Sequence, residues 1–164
     1  MSIDEHAYRT AMARLPTCVT VLTSLGDGRH EVMTANAVVS VSLQPTLLLV
    51  SVGATKRWLQ AARRCGRFAV NVLGAQHQEL ARWCADHARH DQPQPLTGHR
   101  STVSPATGLL LFEDALVVVE CRVHAEHPAG DHVLLLGEVT AIDVRHSTAE
   151  PLVFVDRGYA TVRP

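Results

Sequence analysis

Two long β-branched runs, Ala115–Ala125 and His132–Val144, constrain this chain more than any other feature. They flank Pro128-Ala129-Gly130, a turn signal, and so read as two strands of one hairpin. A second hairpin is signalled where Asp27-Gly28 separates Val19–Leu22 from the apolar stretch that opens at Val32. A third is signalled where Gln44-Pro45 separates Ala37–Leu43 from Thr46–Val52. Arg67–Leu73 reads as a further strand, and Leu152–Val155 and Tyr159–Val162 as short ones. Helical spacing is confined to three places. Ser2-Ile3-Asp4-Glu5 has capping-box form, and Tyr8, Met12 and Leu15 continue it to a stop before Pro16. Trp58, Leu59 and Ala62 suggest a helix over Thr55–Arg64, and Leu80, Trp83 and Cys84 share one face of Gln76–Ala88. The polar stretch His90–Pro105 reads as a long surface loop. About seven hairpin-joined strands without β-α-β alternation predict a mostly β fold with a few short helices, an antiparallel barrel.

At 164 residues the chain fits one domain, residues 1–164, large enough to bury a full core. Apolar residues at 46% and charged residues at 19% exclude a disordered chain. Fifteen Lys and Arg against 16 Asp and Glu leave no basic surplus for nucleic acid or an anionic membrane. The best apolar run, Thr46–Ala54, is far short of the roughly 20 residues of a membrane span. Met1–His6 holds no apolar signal region. Cys18, Cys65, Cys84 and Cys121 form no Cys-x-x-Cys pair and read as reduced core thiols, which implies a cytoplasmic setting.

Several common motifs fail on inspection. Gly26-Asp27-Gly28 begins like a dinucleotide fingerprint, but Glu31 replaces the third glycine and the segment lies in a hairpin. There is no phosphate loop and no nucleophile elbow. His87 and His90, and His124, His127 and His132, lack Cys or carboxylate partners at a metal-binding spacing, so no metal is expected. Gly53-Ala54-Thr55-Lys56-Arg57 carries more. A strand ends there, a helix starts, and two cations follow, which suits a phosphate group; a plain helix start with solvated cations is the alternative.

Four blocks in order give the chain its resemblance. Met33-Thr34-Ala35-Asn36-Ala37, Ser40-Val41-Ser42-Leu43-Gln44-Pro45, Phe68-Ala69-Val70-Asn71-Val72-Leu73 and Gly130-Asp131-His132 resemble the flavin reductase-like, FMN-binding split-barrel family. Arg9–Thr23 resembles that family's opening. The nearest subgroup is the small reductase component of two-component flavin-dependent monooxygenases. The resemblance implies a Greek-key-like split β-barrel that forms a homodimer. It implies an NAD(P)H:flavin oxidoreductase that reduces FAD or FMN and passes reduced flavin to a partner monooxygenase.

The same resemblance implies roles for residues. Met33, Thr34, Ala35, Asn36 and Ala37 would line the isoalloxazine, and Ser40, Val41 and Ser42 would contact the ribityl chain and ring. Gly53, Ala54, Thr55, Lys56 and Arg57 would face phosphate. Phe68, Ala69, Val70 and Asn71 would offer backbone contacts along the ring, with Phe68 and Val70 as core side chains. Gly130, Asp131 and His132 would place the nicotinamide. The family often has Ser at Ala37, Gly at Val32 and Asp at Gln44, so this chain lacks one hydroxyl that could bond the flavin. NADH is expected over NADPH, because no arginine pair stands beside a recognisable 2′-phosphate site.

The residue types agree with this chemistry. An isoalloxazine needs an apolar slot with short polar groups at its edge. Thr34, Asn36, Ser40 and Ser42 stand among Val, Ala and Met. Hydride passes between cofactors, so no acid, base or nucleophile is required of the protein. The rival readings are a flavin oxidase of the same fold and a non-catalytic flavin- or haem-binding module. Gly130-Asp131-His132 argues against the oxidase.

Overall fold

A computed structural model describes residues 3–86, 99–145 and 149–162. In chain order the elements are α1 (Glu5–Met12), β1 (Thr17–Cys18), β2 (Thr20–Gly26), β3 (Arg29–Ala35), β4 (Val38–Leu43) and β5 (Thr46–Gly53). Then come α2 (Arg57–Cys65), β6 (Arg67–Val72), a 3-10 turn (Ala75–His77), α3 (Gln78–Ala85), β7 (Ser101–Val103) and β8 (Leu110–Phe112). The chain ends with β9 (Val117–Ala129), β10 (His132–Val144), β11 (Leu152–Val155) and β12 (Gly158–Thr161).

The main sheet has seven strands in the order β3-β2-β6-β9-β10-β5-β4, every pair antiparallel. β3 and β4 are its two edges, yet only Asn36 and Ala37 join them. In a flat sheet those edges would lie roughly 29 Å apart at about 4.8 Å per strand. A two-residue link reaches only roughly 10 Å. The sheet must therefore roll until its edges nearly meet. They do not form a ladder with each other, and the barrel is split along that seam. After α2 the chain returns to lay β6 beside β2, and β10 pairs with β5, a Greek-key-like path.

Strand alternation builds two cores. Inside the barrel lie Leu22, Ala35, Val50, Val52, Phe68, Val70, Cys121, Val133 and Leu135, with Trp58, Leu59 and Ala62 entering from α2. Trp58 meets Phe68 edge to face at 5.6 Å. Gly137 is obligatory there, because a Cβ would overlap the Phe68 ring and Cys121 Cβ. Outside, Val19, Val21, Ala69 and Val118 pack against α3 and the Leu109–Phe112 segment. Burial pushes the Cys121 thiol up to about 12, with the neighbouring Glu120 carboxylate adding to the effect. All four cysteines are free thiols.

Several local readings change. The N-cap of α1 is Asp4, whose carboxylate accepts from the Ala7 N–H at 2.8 Å. α1 buries no residue, and its Tyr8 is exposed. α2 starts two residues later than expected, at Arg57. Within the stretch read as loop, Ser101–Val103 is a strand paired with Leu110–Phe112. Ser2, His87 and residues 90–98 lie outside the described residues. The long hairpin turns at Gly130-Asp131 and not at Pro128-Ala129-Gly130, since Ala129 pairs with His132. Gly130 takes φ +64°, a left-handed conformation that glycine adopts without strain.

Candidate active site at the barrel split

The rolled sheet brings three of the four sequence blocks to the split. The Ser51 N–H donates to the Ala37 carbonyl at 2.9 Å and holds the Asn36–Ala37 link against β5. Two residues along β5, Gly53 lies opposite His132. The Ala54 N–H donates to the Asp131 carbonyl at 3.0 Å, so the β5–α2 corner and the β9–β10 tip form one unit. Ser40 is exposed on β4, two residues beyond Val38, which is paired with Val50.

The β5–α2 corner suits an anion. The N-cap of α2, Lys56, makes no side-chain cap, and the first turn holds no acidic residue. A helix start leaves N–H groups without intrahelical acceptors, and there the dipole favours negative charge. A flavin phosphate fits such a corner, with the Lys56 ammonium beside it. Arg57 is engaged elsewhere: its guanidinium pairs with Glu31 at 2.9 Å.

At the hairpin tip, His132 Nδ1 lies 2.7 Å from an Asp131 carboxylate oxygen. That hydrogen bond, and the charge of the imidazole when protonated, hold the Asp131 carboxyl below its usual range. The His132 side chain is 47% exposed, so its ring is oriented by a neighbour and still open to a ligand.

Other expected contacts divide by strand alternation. Met33 and Ala35 face the barrel core, and Thr34 and Asn36 the opposite side. The Thr34 hydroxyl donates to the Ala81 carbonyl at 2.6 Å, which ties β3 to α3. Ser42 Oγ accepts from the Gln44 N–H at 3.3 Å and trims the β4–β5 turn. Val41 stands exposed at the irregularity between Ser40 and Ser42. The Phe68–Asn71 expectation needs correction. β6 is ladder-bonded to β9 throughout and to β2 over Ala69–Val72, so its backbone is spent on the sheet. All four residues are buried. The Asn71 amide donates to the Val21 carbonyl at 3.0 Å, and its oxygen accepts from the Phe112 N–H at 2.9 Å. It is a clamp between strands.

Sequence reasoning missed a cavity of about 240 Å³ beside the split. Val19, Thr34, Asn36, Ala85, Phe154 and Tyr159 line it. Tyr159 packs edge to face on Phe154 at 5.5 Å, and the Arg82 guanidinium lies 5.4 Å from the Tyr159 ring centre. The only sequence signal was two aromatic residues in the last short strands.

Comparison with known proteins agrees with this fold. The flavin reductase like domain matches residues 12–163. An NADH-dependent FMN reductase, AsuE2 of Streptomyces nodosus subsp. asukaensis, is 40% identical over 158 residues, covering 95% of this chain and 84% of its own length. The solved flavin reductase PheA2 superposes with a TM-score of 0.86 at 34% identity, covering 99% of this chain and 100% of that one. BorF, the flavin reductase component of a bacterial two-component tryptophan halogenase, superposes at 0.89 with 30% identity, covering 98% and 99%. The chain belongs to the flavin reductase-like family.

Proposed function

We propose that this protein is an NADH-dependent flavin reductase that takes hydride from the nicotinamide onto FMN or FAD and releases reduced flavin to a partner monooxygenase. The observation that carries the reading is the junction of the uncapped α2 start with the Asp131–His132 tip across one backbone hydrogen bond. Phosphate at the corner and a nicotinamide at the tip then belong to one groove. In that groove Lys56 and the α2 N–H groups hold phosphate, Asn36, Ala37 and Ser40 meet the ring system and ribityl chain, and His132 orients the nicotinamide. The flavin supplies the hydride-accepting ring. The chain's own task is to hold the donor about 3–3.5 Å from it and to exclude water.

Steady-state NADH and NADPH oxidation with FMN, FAD and riboflavin tests this. Turnover with free flavin and preference for NADH are expected; no turnover with any flavin overturns it. A flavin oxidase would instead arrive with tightly held flavin and need an organic reductant.

A homodimer belongs to the same proposal. β4 is an edge strand, and Val39, Val41 and Leu43 on it are exposed. Val39, Leu49 and Leu136 make an apolar row across β4, β5 and β10. A second copy seated there would cover that row, and obligate interfaces commonly bury over about 2,000 Å². Light scattering should give twice the chain mass, and Leu49→Glu should halve it. A monomeric wild type with full activity contradicts this part. Among the described residues no helix is long and apolar enough to cross a membrane. Four free thiols support a cytoplasmic setting.

A further inference from the structure

We propose that Glu31 tunes this protein's choice of flavin: its carboxylate holds the β5–α2 corner at one net positive charge and so shifts preference from FMN towards FAD. The inference rests on the reductase reading, which puts flavin phosphate at that corner. It goes on to name the residue that chooses between the two flavins, and that residue lies outside all four sequence blocks.

Glu31 sits on β3, an edge of the sheet that borders the split. Its side chain is only 12% exposed and lies 2.9 Å from the guanidinium of Arg57, the first residue of α2. A Cβ added at Gly26 would touch Glu31 Cγ at 3.6 Å, so the side chain is packed in place beside the end of β2. A cation at a helix start opposes the helix dipole, and α2 has no acidic residue of its own in its first turn. The fold brings that anion from another strand. Its partner Arg57 is 54% exposed and therefore open to a ligand once the carboxylate no longer holds it.

Charge decides the ligand. Arg57 and Lys56, whose stem lies over Gly53, bring two positive charges to the corner. With Glu31 the sum is one; without it, two. The phosphate of FMN is a monoester with a second pKa of about 6, so near neutral pH it carries about −1.5 to −2. In FAD the two phosphates are joined and each carries one negative charge. A fixed carboxylate repels a doubly charged group twice as strongly as a singly charged one at the same distance. It also keeps Arg57 from a bidentate contact with the additional oxygen that only the monoester offers.

Oxidised FMN, FAD and riboflavin are titrated into the purified full chain at about pH 7.5, above that second phosphate pKa, and binding is read by quenching of flavin fluorescence. Glu31→Gln removes the charge and keeps an oxygen that can accept from Arg57. It should tighten FMN about tenfold and FAD about threefold or less, and leave riboflavin unchanged. Glu31→Asp, which keeps the charge, should keep the wild-type ratio of FMN to FAD affinity. Glu31→Gln combined with Arg57→Ala restores a single net charge and should return that ratio to near the wild-type value. Arg57→Ala alone, at an exposed position, leaves the carboxylate uncompensated and should weaken FMN more than FAD. Equal tightening of FMN and FAD in Glu31→Gln, or none, overturns the proposal. Weaker FMN in that variant also overturns it, because the carboxylate would then be aiming Arg57 at the phosphate. A change for riboflavin as large as for FMN overturns it too, since Glu31 would then act through the fold. A wild type that binds flavin and oxidises no NADH refutes the reductase reading alone, and the Glu31→Gln comparison still decides the proposal.

Discussion

Strand β6 and the Asn36–Ala37 link both come from sequence blocks that resemble flavin-binding segments, yet the fold uses them in opposite ways. β6 sits between β2 and β9, so ladders consume its backbone and both faces are buried. The link joins two sheet edges that never pair, which leaves Asn36 and Ala37 exposed at a seam. A recurring block can therefore reflect a fold that must close or a ligand that must bind. Whether a neighbouring strand occupies the backbone decides which.

The sealed side should yield the largest losses. Gly137→Val places a side chain against the Phe68 ring and Cys121, neither of which has free space to enter. Overpacking of this kind costs about 3 kcal/mol or more, and a thermal melt should show it as a Tm lower by many degrees. Asn71→Ala should cost about 2–3 kcal/mol, because it strands the Val21 carbonyl and the Phe112 N–H in the interior. In both variants the FMN affinity of the protein that remains folded should be unchanged. An Asn71→Ala protein with normal Tm and weakened FMN would return β6 to the site and dissolve the contrast.

The open side should show the reverse pattern, with binding lost and stability kept. Lys56→Ala should weaken FMN about tenfold to a hundredfold at a little-changed melt, since a charge-assisted phosphate contact is worth about 1.5–3 kcal/mol. Riboflavin, which has no phosphate, should be little affected. Arg57→Ala should have the smaller effect, because that guanidinium is shared with Glu31. Equal losses for FMN and riboflavin would mean that the corner supports the fold and not the ligand.

How far each region could be read from sequence follows the same division. The two long β-branched runs became β9 and β10 within a few residues, and Asp27-Gly28 became the β2–β3 turn, because these signals are local. Met33 and Thr34 were assigned to one ring-lining segment, but neighbouring strand residues face opposite ways, and only the closed barrel says which way is inward. Asn71 could not be read as a clamp, since its partner Phe112 is 41 residues away. The cavity was invisible for a like reason. Val19, Thr34, Ala85 and Tyr159 come from four separate parts of the chain, and no spacing rule connects them.

The smallest effect expected is at His132, and it bears most directly on where the open side ends. The backbone of His132 is fixed by its pairing with Ala129 and Gly53, so replacing the side chain leaves the ladder intact. Its imidazole contacts Asp131, whose side chain is 93% exposed, and an ion pair so open to water adds little to folding. His132→Ala should therefore leave the melt unchanged. What it removes is a ring held by Asp131 beside the β5–α2 corner. The KM for NADH should rise about three- to tenfold while kcat falls less, the pattern of a lost contact made equally in ground and transition states. Asp131→Asn keeps a hydrogen-bonding partner for the imidazole without its charge, and should lie between wild type and His132→Ala. FMN affinity measured without nicotinamide should not move in either variant. If His132→Ala weakens FMN and leaves the KM for NADH alone, the imidazole serves the flavin, and the nicotinamide must reach the seam from elsewhere.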